Sequence, residues 1–458
     1  MSRKQTEGSP LFCRGGAIVK ETIVKQGRIA GVEQDGYTLF WGVPYAQPPV
    51  GALRWRAPRE PEPWEGVYQA NSFPNRSMQE IQRPDPFGDK EFYDEPQYDT
   101  LPSEDSLYLN IWTPAQKAGE KLPVAFWIHG GAFMGGCGHE KEFDGEGYCR
   151  RGVILVTINY RLGPIGFLAH PWLSEENRAE GKPAVSGNYA VLDQIAALKW
   201  VYENIEAFGG DPGNITVFGQ SAGCMSVQTL VSSPLTKGMI SKAILQSGVG
   251  LSYDHTLAKA ELEGVQFAAN AGVNSLEEMR ALTFEQVMAA AGPLIMKGFA
   301  TMELPYTPVI DGVVLEDGYN AALEQGKIHD IPYMVGSTMN DIATSREELA
   351  NGERGKVYAG SKKWCVEQLS NGRNPAWLYY FTRQLPGDDA GAFHSSELWY
   401  MFETYRRRWR PMTEADAKLS ANMMDYWTNF MKTGDPNGAG LPAWKPWRED
   451  GDMMIFDV

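Results

Sequence analysis

The chain has 458 residues, 43% hydrophobic and 22% charged, an ordinary globular composition. Lys+Arg 42 against Asp+Glu 57 leaves a formal charge of −15, which repels nucleic acid and anionic lipid and argues against either as a partner. No apolar run reaches the length of a membrane span, the leading MSRKQTEGSPLF lacks the apolar stretch of a secretory signal, and length alone allows anything from one elaborated α/β core to about three domains.

The five cysteines, Cys13, Cys137, Cys149, Cys224 and Cys365, are widely spaced and form no CxxC. They suggest neither a zinc site nor a disulfide framework. Free buried thiols in a reducing, cytoplasmic compartment are the expectation.

In chain order, the first marked segment is 84–105, PDPFGDKEFYDEPQYDTLPSED, with eight acidic residues against Lys90 alone. Proline and like charge make it a loop rather than a core element, either a solvated one or an acidic flap beside a pocket. Short apolar runs at 107–112 (LYLNIW), 124–128 (VAFWI) and 153–158 (VILVTI) then read as buried strands. Over 188–208, Val191, Leu192, Ile195, Leu198, Val201, Tyr202 and Ile205 recur at three- and four-residue steps, which predicts a helix. Gly209-Gly210 ends it, and DPG at 211–213 turns toward a strand at 215–218 (ITVF). A strand at 242–246 (KAILQ) precedes a helical stretch at 256–291, part of an insertion over one end of the sheet at roughly 251–330. Strands at 332–336 (PYMVG) and 377–381 (WLYYF) complete the series, with a short cover segment at 346–372 between them. This alternation predicts a single α/β domain over 1–458, a mostly parallel sheet with helices on both faces.

The sharpest motif is Gly219-Gln220-Ser221-Ala222-Gly223, directly after ITVF and before the helical run CMSVQTLVS. At a strand-to-helix turn, G-x-S-x-G holds the serine in a strained conformation that thrusts Oγ outward, and the glycines remove Cβ atoms that would clash. A second cluster, His129-Gly130-Gly131-Ala132-Phe133, follows VAFWI. With the N–H of Ala222, its backbone amides can cradle an oxyanion, and His129 reads as a structural hydrogen-bonder. A serine nucleophile needs a base, and the base needs an orienting acid, in the chain order Ser, acid, His. Of the later histidines, His255 falls in the insertion, His329 falls before a strand, and His394 falls in a polar loop after one. His394 is therefore the candidate base. Asp341, beyond PYMVG, is the candidate acid, with Glu347 and Glu348 as rivals at a solvated helix start.

With these residues, the chain resembles the type-B carboxylesterases, the cholinesterase-like branch of the α/β-hydrolases. The likeness runs nearly end to end through 40–55 (FWGVPYAQPPVGALRW), 104–112 (EDSLYLNIW), HGGAF, Asn159-Tyr160-Arg161, 187–223, QSG at 246–248 and 427–437 (WTNFMKTGDPN). It implies an α/β-hydrolase fold with helical insertions over the active-site entrance, a Ser221–Asp341–His394 triad, and oxyanion donors at Gly131, Ala132 and Ala222. Four departures stand out. Gln220 replaces the family's Glu, Asp341 replaces its Glu, Ser106 and Met78 stand where a disulfide is usual, and the acid-to-histidine interval is short, which suggests a wider, shallower entrance. Glu397 matches a family glutamate near the triad. If Gln220 lies beside it, the neutral amide avoids a like-charge pair. Phe133, Met134, Trp399 and Tyr400 are the expected substrate-lining residues.

The function implied is carboxylic ester hydrolysis through an acyl-enzyme, on small to medium uncharged esters, with no cofactor or metal required. A plant-polysaccharide acetyl or feruloyl esterase is the alternative within the fold. Amidase and lactonase activity share the same intermediate. A binding-only protein, like relatives that have lost the triad, is the reading from another class. The oligomeric state is not readable.

Overall fold

The computed structural model describes residues 19–80, 86–251, 254–301, 303–449 and 451–458. Cys13, the leading segment and the first two residues of the acidic stretch lie outside them. The main sheet is built from β1 (Val19–Val24), β2 (Gly27–Gln34), β3 (Tyr37–Pro44), β4 (Tyr108–Thr113), β5 (Leu122–Ile128) and β6 (Ile154–Ile158). It continues with β7 (Gly210–Gln220), β8 (Lys242–Gln246), β9 (Tyr333–Thr338), β10 (Ala376–Phe381) and β11 (Met453–Phe456). The spatial order is β1-β2-β3-β4-β6-β5-β7-β8-β9-β10-β11, with the short strand Val67–Gln69 beside β2. Pairing is antiparallel from β1 through β4 to β6 and parallel from β6 to β11.

The parallel strands are those with unbroken apolar runs, because both of their faces are covered: β6, β8, β9 and β10 are buried at every residue. Alternation still sorts the side chains. Val124, Phe126 and Ile128 of β5 join the core beneath the helices Tyr189–Asn204 and Ala222–Ser232, while Ala125 and Trp127 join the opposite core with the helix Glu414–Thr433. β1 to β3 and β11 were not singled out in the sequence, because half-exposed strands such as VKETIV mix polar and apolar residues.

The predicted long helix is Tyr189–Asn204 with a 3-10 turn, Ile205–Phe208, closed by Gly209 in the left-handed region (φ 85°). The insertion folds as helices Leu257–Ala271, Leu276–Arg280, Phe284–Thr301 and Tyr319–Glu324. The cover segment holds Arg346–Ala350, opened by a Ser345/Glu348 capping box, and Gly355–Ser370. No helix among the described residues is long and apolar enough to cross a membrane. Cys137, Cys149, Cys224 and Cys365 are free and buried.

The acidic segment departs from a solvated loop. It contains a short helix, Pro86–Phe92, and its Glu91 is fully buried against Arg408 and Arg410. Ser106 also has a different partner from the one expected. Its hydroxyl lies 3.0 Å from that of Ser77, so the facing residue is Ser77 and not Met78.

Candidate active site

Loops after β5, β7, β9 and β10 gather at the carboxyl edge of the parallel strands, where open α/β sheets place ligands. β7 leads straight into Ser221, which has φ 58° and ψ −124°, and the helix Ala222–Ser232 starts at the next residue. The turn is tight for a steric reason. A Cβ on Gly223 would sit 2.1 Å from the Ile128 carbonyl oxygen, and one on Gly219 would sit 2.5 Å from the Gly223 carbonyl. Only glycines let β5, the turn and the helix approach this closely. The Ser221 N–H donates to the Gln246 carbonyl at 2.9 Å, which fixes the strained residue from outside.

The loop after β5 is strained in the same way. Gly131, Ala132 and Phe133 all have positive φ (99°, 54° and 60°), and each L-residue there costs about 1 kcal/mol or more. The strain is over-determined: Met134 and Gly135 N–H groups donate to the Gly131 carbonyl, Gly163 N–H donates to that of Phe133, and the Gln79 amide bonds both the N–H and the carbonyl of Gly136. What this leaves is useful. Among the described residues, the N–H groups of Gly131, Ala132 and Ala222 donate to no protein acceptor. A Cβ on Gly130 would lie 3.1 Å from the Ser221 Cβ, so the loop borders the serine. His129 is buried, stacks on Tyr160 with ring centroids 4.4 Å apart, and is pushed down to about 4 by burial, which leaves it neutral.

Asp341 and His394 are joined by a bond of 2.6 Å between Oδ1 and Nδ1. Asp341 is buried, and its carboxylate also accepts the N–H groups of Thr338 and Ile342. The two loops are tied together directly. Asn340 N–H donates to the Ala392 carbonyl, and Ala392 N–H donates to the Asn340 side chain, each at 2.9 Å. Gly391, with φ 74°, allows this contact, since a Cβ there would lie 2.4 Å from the Asn340 side-chain oxygen. Burial works to lower the His394 pKa, but the Asp341 charge and hydrogen bond and the Glu397 charge outweigh it, and the net shift is upward. Glu397 is fully buried and raised to about 7, by burial first and Asp341 second.

The contacts of Gln220 and Glu397 differ from the juxtaposition considered for them. Glu397 has the Ser247 hydroxyl at 3.5 Å from its carboxylate, while the Gln220 amide lies against the His394 ring. His255 pairs with Glu263 at 3.0 Å, and His329 lies near Thr236, both away from Ser221.

A cavity of about 460 Å³ opens beside Gly131 and Ala132. Met134, Leu162, Phe284, Met288 and Ile295 form its apolar side, and Phe92, Tyr93, Tyr98 and Asp99 bring the acidic segment to its wall. Phe133, Trp399 and Tyr400 are not part of that wall: Phe133 packs on Phe167, Trp399 stacks on Phe92, and Tyr400 donates to Asp416, all in the core. The wall comes from segments far apart in the chain, of which Met134 and the acidic stretch were the parts read from the sequence.

Strand order, the strained serine turn and the gathered loops are those of an α/β-hydrolase. The chain matches the profile described as the carboxylesterase family over residues 19–364 and 344–457. It is 34% identical to a fumonisin B1 esterase of Sphingopyxis macrogoltabida, over 96% of this chain and 86% of that one. It is 33% identical to a para-nitrobenzyl esterase of Bacillus subtilis, over 94% and 93% respectively. A solved thermophilic PNB esterase superposes with a TM-score of 0.81 at 31% identity, over 96% of both chains. The chain belongs to the carboxylesterase family and is an enzyme that hydrolyses small-molecule carboxylic esters.

Proposed function

We propose that ester cleavage proceeds by two-step acyl transfer on small to medium uncharged esters. Ser221 attacks the ester carbonyl while His394 takes its proton at Nε2. Asp341 fixes the tautomer and steadies the imidazolium. The alcohol leaves with the proton returned by His394, and a serine ester remains. Water deprotonated by the same imidazole then releases the acid. The N–H groups of Gly131, Ala132 and Ala222 receive the oxyanion, where losing one donor typically costs roughly a hundredfold or more. The observation that carries this reading is the 2.6 Å Asp341–His394 bond at the strand edge that bears Ser221. An anionic ester would find no unpaired cation among the described residues of the cavity wall, since Arg76 is paired with Asp99 and Lys141 with Asp94.

The test is turnover of p-nitrophenyl acetate and butyrate by the full chain. Ser221→Ala should lower kcat/KM by about 10⁴-fold or more, and activity that survives it would end the reading. The likeness to a fumonisin B1 esterase puts fumonisin B1 on the substrate panel, beside feruloyl and acetyl-sugar esters for the polysaccharide alternative.

A further inference from the structure

Each candidate oxyanion donor is aimed by whatever holds the carbonyl of its own peptide. A trans peptide is planar, with its N–H and C=O pointing opposite ways, and the peptides concerned are trans. The Ser221 carbonyl accepts the Met225 N–H at 3.1 Å, in the first turn of the following helix, and this turns the Ala222 N–H the other way. The Gly130 carbonyl accepts from Nδ1 of the buried His129 at 2.9 Å, which directs the Gly131 N–H. The Gly131 carbonyl accepts the N–H groups of Met134 and Gly135 at 2.9 and 3.0 Å, which directs the N–H of Ala132. This last hold is a return of the loop on itself. Gly135 packs so closely that a Cβ on Gly131 would stand 2.2 Å from the Gly135 carbonyl oxygen.

One side chain clamps that return. Gln79 Oε1 accepts the Gly136 N–H at 3.0 Å, and Gln79 Nε2 donates to the Gly136 carbonyl at 2.9 Å and to the Ser77 carbonyl at 3.1 Å. These partners fix which way round the amide sits, since one is a donor and two are acceptors. Ser77 is buried, and its hydroxyl donates to the Tyr160 carbonyl just beyond β6 at 2.7 Å. The clamp therefore runs from the end of β6 through Ser77 and Gln79 to Gly136, then through Gly135 to the Gly131 carbonyl. Resting on the mechanism proposed above, we infer that Gln79 is a positioning residue that aims the Ala132 N–H at the oxyanion. A donor fixed before the reaction spends nothing on reorienting as charge develops, and one left to swing loses part of its worth. Gln79 also borders the cavity beside Gly131 and Ala132, so its aiming role must be separated from contact with substrate.

Gln79→Leu and Gln79→Glu test this in the full chain. The first removes the whole clamp. The second keeps an acceptor for the Gly136 N–H but sets a carboxylate against the Gly136 and Ser77 carbonyls. The measurements are kcat and KM for p-nitrophenyl butyrate, and inhibition by a trifluoromethyl ketone of matching chain length. That ketone bonds to Ser221 Oγ, passes the serine proton to His394 and leaves its own oxygen as an oxyanion. The corresponding secondary alcohol, which forms no adduct, is the control. Gln79→Leu should lower kcat and weaken the ketone by the same factor, about tenfold to a hundredfold, the upper end being the loss of one donor. KM and the alcohol's Ki should stay within about twofold of the parent. Gln79→Glu should lose about threefold to tenfold in kcat and ketone affinity, and it decides the case if the leucine variant does not fold. A wall contact with substrate alone would raise KM and the alcohol's Ki and leave kcat in place. A packing role alone would lower Tm and leave kcat and the ketone's Ki in place. Either result overturns the inference. Turnover that survives Ser221→Ala would instead sink the esterase mechanism, and the inference with it.

Discussion

Glu397 shows how a single buried carboxyl couples stability to catalysis. Burial and Asp341 raise it to about 7 from an ordinary 4.5. Between those values the native chain keeps a proton that the unfolded chain gives up. The group's contribution is thus complete below about 4.5 and is lost as pH rises through about 7. Glu397→Gln should remove that loss, so its Tm advantage over the parent grows with pH across this window. Its charge also helps to raise His394, so the same variant should move the acid limb of the pH–rate profile to lower pH. Thermal melts and rate profiles on one set of buffers check both. At this scale the strained turn at Ser221 and the bond between Asp341 and His394 were legible because each of these residues follows a strand in the expected chain order. The partners of Gln220 and Glu397 were not, since they depend on β7 and β8 pairing Gln220 with Gln246 across the sheet, a register that no local pattern encodes. Trp399 and Tyr400, expected to line the site, are buried in the core, since aromatic residues near a site serve packing as readily as ligand binding.

The helix Pro86–Phe92 is held by contacts that reach across the chain. Glu91 pairs with Arg408 and with Arg410 at 3.1 Å and accepts the Trp409 indole N–H at 2.9 Å. Arg410 also binds Asp388. Phe87 and Phe92 meet Phe393 edge-on, one residue before His394. Glu91→Gln takes the paired carboxylate from the buried Arg408 guanidinium, while Arg410 keeps Asp388, and breaking such a buried pair costs roughly 3 to 5 kcal/mol. Denaturant melts should show that loss. Because Phe92 and Tyr93 line the cavity, KM for long-chain esters should also rise more than for acetate. Composition correctly marked the segment as acidic, but its burial depends on arginines more than three hundred residues away, which a charge count cannot see.

At the scale of the whole molecule, the interior strands β4 to β10 were readable and the outer strands β1 to β3 and β11 were not. Strands covered on both faces are written as continuous apolar runs, whereas edge strands are diluted by the solvent they meet. The sheet and its helices also enclose every described thiol, with Cys224 directly behind the serine turn and Cys137 in the cavity wall. With Cys13→Ser, the four remaining sulfhydryls become a clock for the opening of the molecule. Ellman's reagent should find almost none in native buffer and should release Cys137 ahead of Cys149, Cys224 and Cys365 as urea rises. The order of modification, read by mass spectrometry, would rank the parts of the enzyme by the free energy needed to expose them.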